Sequence, residues 1–261
     1  MIFDLLDSIL RPDAYRRFAL EKTARTARYT AFLSLIFVGG LGIAVKLRLA
    51  PLFTETFVWL ETQMPTLKFA AGAVTSPAQG PLRLEHPRVK EISMIIDTAR
   101  MEPVTAQQMT DAKVAAYLTG NALYLQRHLG PIETIDLSKI SSGVGVTVDE
   151  KAYKDMEQAF NWIFYPALML FFFLTFAVAL AFCAFLYALA GMLLASLAGG
   201  ALGFGPLFKI GVHAQSAGTL LYALDATLPK SIPFFRLISL VLSLTFLWLG
   251  VRAAVKTPPA A

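Results

Sequence analysis

Pro166-Ala-Leu-Met-Leu-Phe-Phe-Phe-Leu-Thr-Phe176 is the stretch on which the fold turns, and it lies in a run with no charged residue between Glu157 and Lys209. A bilayer core needs about 20 apolar residues in helix, and this run exceeds that by a wide margin. Asn161, Trp162 and Tyr165 at its entrance are amphipathic side chains of the kind found at headgroup depth. Gly199-Gly200, Gly203, Gly205 and Pro206 close it, where backbone freedom ends a helix and turns the chain. A single helix from about Asp155 to Ala198 would outrun the membrane, so it should protrude, tilt or break near Gly191. A hairpin inside the run, giving five spans, is the alternative, although nothing polar marks its turn.

Outward from that run, Tyr29 to Val45 is uncharged between Arg28 and Lys46. Its 17 residues reach roughly 26 Å at about 1.5 Å each, the lower limit for a crossing. Residues 29–49 therefore form the first span, an uncleaved anchor, since 28 residues precede it and no short basic head or cleavage site is present. The remaining spans are 158–198, 208–225 and 233–252. Asp225 belongs at a water-facing end of the third, because burying it at mid-bilayer costs about 2.5 to 3.5 kcal/mol. Arg11, Arg16, Arg17, Lys22, Arg25 and Arg28 precede the first span, against Lys46 and Arg48 just after it. That bias makes the amino terminus cytoplasmic, and four spans return the carboxyl terminus to the same side.

The 261 residues are 56% hydrophobic and 16% charged, which excludes disordered, collagen-like and disulfide-stapled classes, and the one cysteine, Cys183, has no partner within the chain. The net charge of +5 is divided by region. Residues 1–50 carry eight basic and four acidic groups, residues 51–157 ten and thirteen, and residues 158–261 five and one. A nucleic-acid surface would gather its basic groups, so nucleic acid is not an expected partner. Residues 1–28 instead read as a basic amphipathic segment along the inner leaflet, with Ile2, Phe3, Leu5, Leu6, Ile9, Leu10, Tyr15, Phe18 and Ala19 as its apolar side.

Along the long helix, Ala177, Ala181, Ala184, Ala188, Gly191, Ala195 and Ala198 recur at alternating spacings of four and three. This is the period of a left-handed packing seam, and small residues let helix backbones approach closely in lipid. Its occupant is a helix of the same chain, a second copy or a partner subunit.

Residues 50–157 alternate short apolar runs with turn residues, the pattern of a small β-rich α+β domain inserted between spans one and two. Thr66–Val74, Leu82–Leu84, Glu91–Asp97 and Val144–Val148 are strand candidates. A hairpin joins Val114–Thr119 to Ala122–Gln126 through Gly120-Asn121, with Gly first in a type II′ turn. Val104–Ala112 and Lys151–Ala159 are helix candidates. With the amino terminus inside, the domain is extracytoplasmic.

No Gly-x-Ser-x-Gly, His-Glu-x-x-His, Cys-x-x-Cys or phosphate-loop Lys motif occurs, so no catalytic residue, cofactor site or metal site is assigned. His86, His128 and His213 stand far apart and read as single polar groups. Gly143-x-Gly145 lacks the setting of a dinucleotide site and reads as a turn. Asp149, Glu150, Asp155 and Glu157 read as the solvated, negative first turn of the helix entering the membrane. Lys209 and His213 share one helical face, and with Asp225 they are the candidate polar sites of the bundle, for interfacial anchoring or for phosphate or headgroup contact.

Pro12-Asp-Ala-Tyr15, the basic approach to span one, Ile95-Ile-Asp-Thr98 and Phe208-Lys-Ile-Gly-Val-His-Ala214 together resemble a bacterial domain-of-unknown-function family of membrane proteins linked to maltodextrin utilisation operons. The carboxy-terminal half, with its long apolar helix, Gly199-Gly200 and a short helix closed by Pro229, is also similar to Yip-type membrane domains. The resemblance implies a multi-pass protein of the bacterial inner membrane, and the operon link is one of gene association. None of the shared motifs is catalytic. The expected function is non-enzymatic: the inserted domain binds a protein partner or envelope component, and the bundle, set in lipid, anchors or relays it. The alternative is a transporter-accessory or lipid- or solute-handling role for the bundle itself.

Overall fold

The computed structural model describes residues 1–78, 80–89, 92–126, 131–139 and 145–255. In chain order the helices are α1 (Ile2–Leu10), α2 (Ala14–Leu20), α3 (Thr23–Arg48), α4 (Ala50–Gln63), α5 (Ala106–Ala112), α6 (Glu150–Ala159), α7 (Tyr165–Leu197), α8 (Phe204–Ala214), α9 (Ser216–Thr227) and α10 (Phe235–Val255). The strands are β1 (Leu67–Ala70), β2 (Ala73–Thr75), β3 (Leu82–Glu85), β4 (Ser93–Asp97), β5 (Ala116–Thr119), β6 (Ala122–Gln126), β7 (Ile132–Asp136) and β8 (Val146–Val148). The chain forms two compact units, Met1–Leu49 with Tyr165–Ala261, and Ala50–Phe164.

The first unit is entirely helical among its described residues. Three helical runs of the chain are long and apolar enough to cross a membrane: Thr23–Arg48, Glu150–Leu197 and Phe235–Val255. The long run shows no break at Gly191. Its irregularity is a π-helical turn at Phe160–Phe164, with none of its residues buried. Over 208–225, where one short span is expected, the chain forms two helices that meet at Gln215. That residue keeps right-handed helical angles (φ −82°, ψ −5°), and its Nε2 donates to the carbonyls of Leu180 and Gly211, each at 3.1 Å. The side chain thus satisfies a backbone carbonyl left free near the junction. Helix α3 lies so close to α9 that a Cβ on Gly40 would stand 2.6 Å from the backbone oxygen of Ala223. The unit's interior is built by Phe18, Leu207, Ile210, Leu247 and Val251 around the small side chains Ala188 and Ala195.

The second unit holds two antiparallel-rich sheets, ordered β2-β1-β8 and β3-β4-β5-β6-β7. Its core is Trp59 of α4 with Leu67, Val74, Leu84, Ile96 and Leu118. Alternation accounts for the pattern, since Leu84, Ile96 and Leu118 turn inward on three neighbouring strands. The only parallel pairing among the described strands, β4 with β5, is bridged by α5. A capping box at Thr105 and Gln108 starts that helix.

Three sequence expectations are corrected here, and one stretch without an expected element gains one. Thr66–Val74 is not one strand: Ala71 (φ 50°) and Gly72 (φ 77°) turn it into the β1–β2 hairpin. The β5–β6 hairpin forms with Tyr117 opposite Tyr124, but Gly120 lacks the positive φ of a type II′ turn. Glycine is needed there for space, because a Cβ would stand 2.7 Å from the carbonyl oxygen of Thr98. The stretch 50–63 is a helix, with Phe53, Phe57 and Leu60 at helical spacing. His86 is a buried loop organiser and not a surface group. Its Nδ1 accepts from the backbone N–H of Arg88 (3.2 Å) and Val89 (3.1 Å), and its Nε2 lies 3.0 Å from Thr56 Oγ1. His128, Gly143, Glu91 and Val144 lie outside the described residues.

Candidate functional site

The polar residues that converge in the helical unit do so where α1, α2 and the start of α3 meet α8. Helix α1 carries Asp4 and Ser8 on its inner side, both buried, and Ile2, Phe3, Leu6 and Leu10 on its outer side, all exposed. Helix α1 thus keeps an outward apolar face. The apolar residues of α2 point inward, with Tyr15 and Phe18 fully buried against the bundle. Its cations are engaged as well. Arg17 Nη2 lies 3.0 Å from Asp4 and 2.9 Å from Asp7, and Arg25 Nη2 lies 2.9 Å from Asp4. Burial works against charge on Asp4, but the guanidinium of Arg25 and the terminal amine outweigh it and hold the carboxyl below its ordinary range.

Glu21 is the second anion of this cluster. Its Oε1 accepts from Thr26 Oγ1 at 2.7 Å and from His213 Nε2 at 3.1 Å, and Arg25 Nε stands 3.4 Å from Oε2. Burial raises its affinity for a proton, whereas hydrogen bonds from His213 and Thr26 and the nearby charges lower it by more, so Glu21 sits below the usual carboxylate range. A carboxylate can only accept, which places the proton of this contact on His213 Nε2. The imidazole is sandwiched between Phe18, at a centroid distance of 3.7 Å and 3° from parallel, and Tyr29, at 4.1 Å and 22°. His213 Nδ1 is buried without a hydrogen-bond partner. Around it, Ser216 Oγ donates to the carbonyl of His213 at 2.6 Å, so Tyr29 OH donates to Ser216 across their 2.7 Å contact. Lys209 Nζ donates to the backbone carbonyl of Glu21.

Lys209 and His213 are thus brought together, on Glu21. Asp225 is not part of the cluster. It caps the turn before α10, accepting from the N–H of Ile232 at 2.7 Å and from Ser231 Oγ at 3.2 Å. The small-residue seam receives α8: Ala184, Ala188, Gly191 and Ala195 are buried, Gly191 against Leu207 and Ala184 against Gly211, while Ala177, Ala181 and Ala198 are half-buried. The residues that sequence reasoning passed over are Asp4, Glu21, Phe18 and Tyr29. The signal for Asp4 and Glu21 was present, as single acids set among the basic groups of residues 1–28. Asp149, by contrast, is the N-cap of α6, accepting from Ala152 N–H at 3.0 Å.

In the second unit an open groove of about 640 Å³ runs between α4 and the edge strand β3, lined among others by Glu55, Thr62, Gln63, Arg83, Glu85 and Arg88. One ion pair, Arg88 with Glu55 at 2.6 Å, crosses to α4, and another, Arg83 with Glu85 at 2.7 Å, lies along β3. Among the described residues no group of three His, Cys, Asp or Glu side chains is placed to hold a metal ion.

No curated protein and no solved structure matches the chain. A family model described as protein of unknown function (DUF1189) matches residues 3–251, nearly the whole length, and the chain belongs to that family.

Proposed function

We propose that the chain is a non-enzymatic integral protein of the bacterial inner membrane whose inserted domain binds a protein partner or envelope component, while the helical unit anchors and relays that contact. Helices α3, α7 and α10 and the α8–α9 pair make four crossings, with both termini cytoplasmic and residues 50–157 outside. A joint crossing by α8 and α9 is supported by Gln215, the single residue that separates them, keeping right-handed angles. The contact of Arg16 Nε with the carbonyl of Ala253, at 3.0 Å, supports termini on one side. The likeness to Yip-type domains and the maltodextrin-operon association belong to this same reading.

The observation that carries the binding role is the groove between α4 and β3, which offers fixed charges beside an unpaired strand edge. The test is co-purification from native membranes. A partner retained by the wild type and by His213→Ala, and lost on Arg83→Glu or Thr62→Arg, is the expected result; retention by the groove variants with loss on His213→Ala contradicts it. Labelling of a cysteine at position 100 only from the cytosol would reverse the orientation. A second reading, a lipid- or solute-handling role for the bundle, is favoured by one observation, a cavity inside the helical unit with buried hydroxyls in its wall.

A further inference from the structure

That cavity, of about 500 Å³, is lined by four helices. Helix α9 presents Gln215, Thr219 and Tyr222, and α10 presents Arg236, Ser239, Leu240 and Ser243. Both sets follow the spacing of one helical face. Phe176 and Leu180 of α7, with Phe37 of α3 stacked on Phe176 at 3.9 Å, make the apolar wall. A second cavity of about 620 Å³ shares Phe37, Tyr222 and Arg236 with the first and continues past Leu41 to Ser231 and Phe234. Both volumes fall in the range of ligand sites, about 300 to 1,000 Å³.

The charge at the junction of the two cavities is unbalanced. Arg236 is exposed and, among the described residues, forms no ion pair. Asp225, the carboxylate of the second cavity, is taken up by Ser231 and the backbone of Ile232. The guanidinium also stands in the first turn of α10, where the helix dipole favours an anion. Deeper in, Ser239 and Ser243 are buried hydroxyls, about 4.5 and 10 Å below Arg236 along the helix axis. Phe37 and Tyr222 stand with Arg236 where the two cavities meet, whereas Ser239, Ser243 and Leu180 line the first cavity alone.

We propose that this cleft binds a membrane phospholipid, with its phosphate on Arg236 beside Phe37, its ester carbonyls toward Ser239 and Ser243, and one acyl chain along the wall that Leu180 and Cys183 form. A free phosphate would use the guanidinium alone and leave the apolar walls without a role. The proposal deepens the lipid-handling reading and rests on the bundle lying in lipid.

The test uses the purified full chain, delipidated in neutral detergent and examined by native mass spectrometry with three probes: phosphatidylglycerol, diacylglycerol with the same chains, and glycerol phosphate. One phosphatidylglycerol per chain is expected, with diacylglycerol binding roughly tenfold weaker, the size of one lost charge-assisted contact. Arg236→Gln should lose about the same tenfold, Arg236→Lys should restore most of it, and Lys230→Gln should change nothing. Leu240→Trp, which fills the cleft without touching the charge, decides the matter if Arg236→Gln fails to fold; it too should reduce retention. Equal retention of phosphatidylglycerol and diacylglycerol, full retention by the folded Arg236→Gln or Leu240→Trp variant, or displacement of the lipid by glycerol phosphate would overturn the site while leaving the membrane reading intact. A chain soluble without detergent would overturn that reading instead.

Discussion

The two units of this chain both bury apolar side chains but differ in the polar groups they bury and in what they expose. The inserted unit hides Trp59, Leu67, Val74, Ile96 and Leu118 and shows charged pairs such as Arg83 with Glu85. The helical unit hides Asp4, Ser8, His213, Gln215 and Ser216 and shows Phe171, Val178, Phe182, Leu193 and Leu197. Burial of apolar area drives the first arrangement in water. In lipid, the setting proposed above for the helical unit, it would drive little, and cohesion would fall to small-residue contacts and to polar groups with nowhere else to bond.

Substitutions of matched kind should separate the two. The largest effect is expected for Gly40→Leu, which drives a side chain into the backbone of Ala223; it should cost about 3 kcal/mol or more and strip hydrogen-exchange protection from α3 and α9 while leaving β4 and β5 protected. Glu21→Ala leaves His213 buried with neither nitrogen paired and should cost about 3 kcal/mol in a detergent melt. Combining it with His213→Phe should recover part of that loss, because an apolar ring suits the slot between Phe18 and Tyr29. In the insert the same rule runs the other way: Leu118→Ala, a pure loss of apolar volume, should cost about 2 to 3 kcal/mol and unfold that unit alone. The smallest effect is Thr105→Ala, about 1 kcal/mol for the lost cap of α5.

Acid sharpens the contrast. Asp4 and Glu21 are held below their ordinary values of 3.8 and 4.5, so the folded state binds protons less readily than the unfolded chain. Their contribution is complete above those ordinary values and is lost as pH falls through the lowered ones. A melt of the helical unit should therefore weaken as pH drops below about 4.5. Replacing both acids by amides should flatten that dependence, and an unchanged pH profile would show that the cluster is not holding α1 and α2 in place.

Much of the helical unit was legible because long uncharged runs and the four-three spacing of Ala184, Ala188, Gly191 and Ala195 are local signals. The β5–β6 hairpin was legible for the same reason. The helix over 50–63 was not assigned because the run of short apolar clusters masked the helical spacing of Phe53, Phe57 and Leu60. Strand β7 went unseen because Glu133, Thr134 and Asp136 dilute its alternation. The polar cluster was half visible: Lys209 and His213 sit one turn apart, whereas Glu21 reaches His213 across 192 positions of sequence. No periodicity reports a contact of that span, and the inward turn of Phe18 depends on what packs behind it.

The central claim, that apolar side chains on the helical unit face lipid, is tested most directly by cysteine accessibility in intact membranes, in a Cys183→Ala background. Val178 is 69% exposed on the protein surface, and Lys68 lies on an exposed face of the insert. A cysteine at position 68 should react with a membrane-impermeant maleimide, and one at 178 should stay unlabelled until detergent is added. Equal labelling of the two positions without detergent would contradict the account.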